Sequence, residues 1–192
     1  MSSQLPNSSD LPSSADIPGP EQLSLRYYPD PILHRRCQPL GLPDDNARAC
    51  IGRMFDLMYE HQGIGLAAPQ VGEMVRMMTM DCVKEEGEEP RPLVLINPEI
   101  TWSSEETSVY EEGCLSIPEQ YADVERPAEV KVSWLDVDGA AQEEHFTGLW
   151  ATCVQHEIDH LDGKLFIDYL KPMKRQMITR KMTKLKRELA RG

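Results

Sequence analysis

Gln155-His156-Glu157-Ile158-Asp159-His160 places two imidazoles four residues apart with a carboxylate between them. On an α-helix, residues four apart stack on one face, so His156 and His160 can hold one metal ion while Glu157 leans toward the same pocket. Thr147 is a fitting N-cap and Gly163 a fitting stop, with neither Pro nor Gly between them after Gly148. Leu149, Cys153, His156, Glu157 and His160 then share a side, and a helix whose ligands point inward belongs at the centre of the fold. The bland alternative is a pair of helix histidines satisfied by hydrogen bonds, and the motif by itself does not choose a reaction type.

Working outward, 192 residues at 40% hydrophobic content suffice for one core. No apolar run approaches the 18 or so residues of a membrane span. Five cysteines, an odd number without Cys-x-x-Cys or a secretory leader, point to reduced thiols in a cytosol. Cys37, Cys50, Cys82 and Cys153 read as small apolar residues. The net charge of −12 conceals a split: residues 171–192 hold nine Lys or Arg against Glu188, which leaves about −20 for the rest of the chain. An acidic body with a basic tail is not a general nucleic-acid coat, and neither DNA nor membrane is an expected partner.

Residues 1–22, with six Ser, four Pro and no Lys or Arg, read as a disordered tail, and their acids argue against a transit peptide. A catalytic domain is expected over 23–171 and a basic C-terminal helix over 172–192. Leu25 to Cys37 reads as a turn, with His34 structural. Pro43-Asp44-Asp45 starts a helix with Ala47, Cys50, Ile51, Met54, Leu57 and Met58 on its apolar face. His61, in its last turn, complements the helix dipole.

Gly63-Ile64-Gly65-Leu66-Ala67-Ala68-Pro69-Gln70 is too glycine-rich for a helix and too apolar for a solvent loop. Such glycines admit close approach of a backbone or ligand, though a tight structural turn would look the same. Strands are expected at Met74–Met80, Leu93–Ile96, Ile100–Ser103, Val130–Leu135 and Gln142–Phe146, broken by an acidic loop at 85–89 and an Asp138-Gly139 turn. The expected fold is α+β: antiparallel sheets packed around the central metal-binding helix, with an N-terminal and a C-terminal helix. Between strands lies Tyr110-Glu111-Glu112-Gly113-Cys114-Leu115-Ser116-Ile117-Pro118. Cys114 is the best third ligand here, a buried free thiol being the alternative.

Taken together, Gly63 to Gln70, Glu112-Gly113-Cys114-Leu115-Ser116 and Gln155 to His160 resemble the three motifs of the peptide deformylases, in that family's order and from roughly Leu23 onward. The resemblance implies metal ligation by Cys114, His156 and His160, and Glu157 as catalytic acid/base. It implies that the Gln70 side chain and the Leu115 N–H cradle the substrate oxygen, with Gly65 in the backbone wall beside it. It also implies N-formylmethionyl nascent peptides as substrates, formate as product and Fe²⁺ as native ion with Zn²⁺ a common occupant, while thiolate and imidazole ligands by themselves would also accept Ni²⁺ or Co²⁺. The default reading of the C-terminal helix is one that packs on the domain and leaves its charge solvated; the resemblance adds, for some members, docking of that helix on the ribosome near the exit tunnel. The bacterial cytoplasm is the expected location.

Arg126 is expected either to pair with Glu112 and brace Cys114 or to form a solvated surface pair, and Asp159 is either behind the ligands or exposed. Tyr121 stands where some relatives carry an arginine that contacts the peptide. A zinc peptidase is the nearest rival, but Phe166 occupies the place of a third histidine and Glu188 lies in the basic tail. A structural metal module would need a fourth protein ligand, and none stands at a sensible spacing.

Overall fold

Asp44 does at the start of the first helix what its sequence position predicts. In the computed structural model, which describes residues 19–83 and 87–189, its side chain accepts the Ala47 N–H at 2.9 Å and opens α1, Asp45–Glu60. The six apolar residues expected on one face are all buried. They meet Leu40, Leu66, Val71, Met77 and Ile96 in a first core cluster. Each such fully buried large side chain contributes about 1.5–3 kcal/mol of transfer free energy.

Among the described residues seven strands follow: β1 Gly65–Ala67, β2 Met77–Met80, β3 Leu93–Ser103, β4 Thr107–Cys114, β5 Ile117–Pro127, β6 Glu129–Leu135 and β7 Ala141–Thr147. Five form an antiparallel sheet in the order β1-β2-β3-β6-β7, and β4 with β5 makes a separate hairpin. Three expectations change. The strand expected over Met74–Met80 begins only at Met77, and Val75 instead makes an isolated parallel bridge with Gln38. The strands at 93–96 and 100–103 are one strand, carried through Pro98 by register shifts after Ile96 and Ile100. Asn97 takes a left-handed conformation there (φ 53°), and its side chain pairs with both backbone groups of Leu40 at 2.8 Å. The segment around Cys114 is no connection between strands but the closed end of the β4–β5 hairpin, where Cys114 faces Ile117 after a bulge at Glu112.

The helix quoted at the outset is α2, Gly148–Leu161, and every residue from Ala151 to Leu161 is buried. It packs on Met78, Met80, Leu95, Val130, Val132 and Phe146 of the large sheet. Thr147 precedes it as expected, although its hydroxyl caps nothing. Gly163 is left-handed (φ 75°), and a Cβ there would lie 2.7 Å from the His34 carbonyl. His34 also approaches the Gly163 carbonyl through Nδ1, at 3.3 Å, which fits its structural reading.

A 3₁₀ turn, Phe166–Tyr169, leads into α3, Pro172–Leu189. Ile178 and Met182 bury against Tyr28, Leu33, Ile117, Val124 and Phe166. Met173, Met177 and Leu189, although near helical spacing with them, stay exposed. Residues 1–18, most of the stretch read as a disordered tail, lie outside the described residues, as do 84–86 in the acidic loop and 190–192. At the near end of that stretch Pro20–Gln22 form a 3₁₀ turn. Among the described residues no helix is long and apolar enough to cross a membrane.

Candidate metal centre

α2 presents His156 and His160 toward the hairpin end that carries Cys114. The two Nε2 atoms are 3.2 Å apart, and Cys114 Sγ is 3.2 Å from His160 Nε2. One donor atom from each residue lies within 4.8 Å of the others. Around a tetrahedral ion with bonds of about 2.0–2.1 Å to nitrogen and 2.3 Å to sulfur, the corresponding edges would be about 3.3 and 3.6 Å. The arrangement fits a divalent cation held by a thiolate and two neutral imidazoles.

The tautomer of His156 is fixed by its neighbour. Glu112 Oε2 lies 2.8 Å from Nδ1, and a carboxylate only accepts, so Nδ1 carries the proton and the Nε2 lone pair faces Cys114 and His160. Arg126 grips Glu112 through Nε at 2.6 Å and Nη2 at 3.0 Å and reaches Asp159 Oδ2 through Nη1 at 2.8 Å. Burial alone would push the Glu112 carboxyl up, but the bonds from His156 and Arg126 outweigh it and hold it below its ordinary value. Arg126 therefore pairs with Glu112 as one reading expected, yet through Glu112 it braces His156 rather than Cys114. Asp159 is buried with it, 9% exposed, which removes the exposed reading.

Beside these three residues stands Glu157, 4% exposed, whose Oε2 has no hydrogen-bond partner. Burial pushes its carboxyl up to about 7, with His156 opposing and Glu112 adding. A buried carboxylate oxygen left unpaired at the wall of a cleft is placed to receive a polar group from a ligand or water. The other unpartnered buried atom among the described residues is His160 Nδ1.

Opposite Glu157, Gly65 approaches so closely that a Cβ would collide with Glu157 Oε1 and lie 2.9 Å from Cys153 Sγ. The glycine-rich stretch is thus neither helix nor plain turn. Residues 65–67 are a short strand, and Ala68–Val71 coil into a 3₁₀ turn that ends with Gln70 buried. Gln70 Oε1 accepts the Ala67 N–H at 2.8 Å, which turns the amide NH₂ toward Ser116 Oγ, 3.3 Å, and Cys114 Sγ, 3.4 Å. Leu115 follows Cys114 in the hairpin turn, and its side chain lies where a Cβ on Gly63 would be, 2.8 Å away.

Gly65, Gln70, Cys114, His156 and Glu157 line one cleft of about 490 Å³, with Ile64, Leu115 and Leu149 as apolar wall and Glu111, Glu119 and Tyr121 at its mouth. His61 also lines it. Tyr121 is exposed, and its ring covers Gly113 so closely that a Cβ there would lie 2.7 Å from Cε1.

The family model for polypeptide deformylase matches residues 22–176. The chain belongs to the polypeptide deformylase family. Deformylases are metallohydrolases that remove the N-formyl group from nascent peptides. A peptide deformylase of Brucella suis is 53% identical over 157 residues, spanning 82% of this chain and 89% of that one. A crystal structure of a deformylase from Legionella pneumophila superposes with a TM-score of 0.80 at 43% identity, covering 88% of this chain and 98% of that one. The Ehrlichia chaffeensis deformylase, solved in complex with actinonin, gives 0.82 at 38% identity, covering 86% and 98%.

Two contacts around the cleft escape a linear reading: the Ser116 hydroxyl receives the Gln70 amide, and the Tyr169 ring lies over Arg126. For the buried pairing of Arg126 there is a signal, since Ala122, Val124 and Arg126 alternate on one face of β5 and all three are buried.

Proposed function

We propose that Cys114, His156 and His160 hold one divalent cation and that Glu157 is the acid/base of deformylation. The convergence of those three donor atoms beside an unpartnered Glu157 oxygen carries this reading. When bound, the cation supplies Lewis acidity, lowering the pKa of a water from about 15.7 to near 7 and polarising the formyl group. Thiolate and imidazole ligation accepts Fe²⁺, Zn²⁺, Ni²⁺ or Co²⁺, and Fe²⁺ is our expectation for the native ion.

The remaining work falls to the chain's own residues. Glu157 Oε2 takes a proton from the attacking water and returns it to the amine as the C–N bond breaks. One water and one formyl amide thus become formate and a free α-amino group. As charge grows on the formyl oxygen, Gln70 Nε2 and the Leu115 N–H donate to it, each such donor contributing about 2.7–4 kcal/mol. Gly65 completes the wall, and its close packing leaves the bulk of an acetyl methyl unaccommodated. Because β1 is an edge strand and Gly63–Gly65 line the cleft, an extended peptide can add to that edge while its methionine side chain meets Ile64, Leu115 and Leu149.

Glu157→Ala tests the assignment: it should keep its metal and lose nearly all formate release from formyl-Met-Ala-Ser. Loss of metal instead would make Glu157 structural.

We further place the enzyme in the bacterial cytoplasm, acting on N-formylmethionyl chains as they leave the ribosome. α3 supports this with a face of Lys174, Arg180, Lys181, Lys184 and Arg187 suited to RNA phosphates near the exit tunnel. Binding should weaken steeply with salt, and unchanged ribosome affinity after deletion of residues 174–192 would end the proposal.

A further inference from the structure

The bond network behind His156 does not stop at Asp159. Tyr169, the last residue of the 3₁₀ turn before α3, donates its hydroxyl to Asp159 Oδ2 at 2.7 Å. That same oxygen accepts Arg126 Nη1 at 2.8 Å, and the Arg126 guanidinium carbon sits 4.9 Å from the centre of the Tyr169 ring. From there the fork of Arg126 on Glu112 and the Glu112 contact to His156 Nδ1 complete an unbroken path from a half-exposed phenol to a buried imidazole. Phe166, at the other end of the turn, stacks on the His156 ring with centroids 6.3 Å apart.

We propose that Tyr169 is a positioning residue for the metal centre, setting how tightly His156 is held through Asp159, Arg126 and Glu112. The proposal rests on the reading of Cys114, His156 and His160 as ligands. Its physical basis is competition for one guanidinium. Arg126 lies between two buried carboxylates, and the Tyr169 hydroxyl shares the charge of Asp159, leaving the two-point grip of Arg126 on Glu112 intact. Without the hydroxyl, Asp159 draws Arg126 toward itself and Glu112 is held less squarely against His156. Groups that orient a ligating histidine typically change metal affinity 10- to 100-fold when removed. The Tyr169 ring also shields Arg126 from water, strengthening each bond in the path.

Tyr59 provides a matched control. It is as exposed as Tyr169, and its hydroxyl likewise donates to a carboxylate, Asp81, at 2.8 Å, away from the three ligands. The full chain is loaded with Zn²⁺, and metal release to excess chelator is followed for wild type, Tyr169→Phe, Tyr169→Leu and Tyr59→Phe, with a thermal melt of each. Tyr169→Phe should release zinc about tenfold faster than wild type, and Tyr169→Leu, which also loses the ring, faster still. Tyr59→Phe should stay within about twofold. Equal release by wild type and Tyr169→Phe, or equal acceleration in Tyr169→Phe and Tyr59→Phe, would overturn the proposal. If wild type holds no stoichiometric zinc, or Cys114→Ser holds it as well as wild type, the ligand reading itself fails.

Discussion

Replacing Gly65 by alanine tests how closely the glycine wall and the acid/base are coupled. Gly65 is not left-handed, so the substitution carries no backbone penalty of that kind. Its cost is steric: the new methyl would collide with Glu157 Oε1 and lie 2.9 Å from Cys153 Sγ. Neither wall can retreat cheaply. Gly65 is paired in register with Met80 of β2, and Glu157 and Cys153 sit in the fully buried part of α2. Glu157 is the group that must rotate away.

General acid–base catalysis contributes about 10²- to 10⁴-fold, or about 2.7–5.4 kcal/mol of barrier at 1.36 kcal/mol per tenfold. Gly65→Ala should therefore lower kcat for formate release by at least about a hundredfold with the metal still bound. Overpacking should cost about 1–3 kcal/mol of stability by denaturant titration. Because the loss acts through Glu157, adding Gly65→Ala to Glu157→Ala should change kcat by less than about threefold. A Gly65→Ala enzyme within a few fold of wild type, or the same hundredfold loss in the Glu157→Ala background, would refute the coupling.

Gln70→Ala should lower kcat/KM by about 10²- to 10³-fold with metal content unchanged, measured on formyl-Met-Ala-Ser, because it removes one donor to the developing oxyanion. Arg126→Met leaves the buried carboxylates of Glu112 and Asp159 without their shared cation and should cost about 3–5 kcal/mol in denaturant unfolding. A loss below about 1 kcal/mol would place that network in a far wetter environment than its burial indicates. At alkaline pH, burial pushes the Cys37 thiol from 9.0 up to about 12. A folded pKa above the unfolded one gives a contribution fully present below about pH 9 and lost as pH rises toward 12. Unfolding free energy should fall across that window, and Cys37→Ala should flatten the slope.

How legible the molecule was depends on the range of the interaction concerned. α1 and α2 were readable because a helix writes its apolar face and its caps into a dozen neighbouring residues, and His156 and His160 needed only the four-residue repeat. The β4–β5 hairpin was not, since Glu111, Glu112, Asp123 and Glu125 give its strands a solvent-loop composition. β1 has three residues, too few for a period-two pattern, and Pro98 disguised the continuity of β3.

At the site, Gly65 could be read as a point of close approach, but not what approaches it, because Glu157 lies in another element and only the fold brings them together. The path from Tyr169 to His156 was hidden likewise, because it runs through Arg126 and Glu112 on the β4–β5 hairpin. For Arg126 and Asp159 the sequence leaves a supporting and an exposed reading open, and only their burial and mutual pairing decide between them. The family motifs point to Cys114, His156 and His160, whereas the groups that hold those side chains in place emerge only from packing.

The most direct measurement is an anaerobic titration of the metal-free chain with Fe²⁺, following formate release and bound iron in the same sample. Formate release should rise in proportion to bound iron and level off at one ion per chain, with Cys114→Ser neither binding nor turning over. Formate release by metal-free protein, or undiminished binding and turnover by Cys114→Ser, would contradict a cation held by Cys114, His156 and His160.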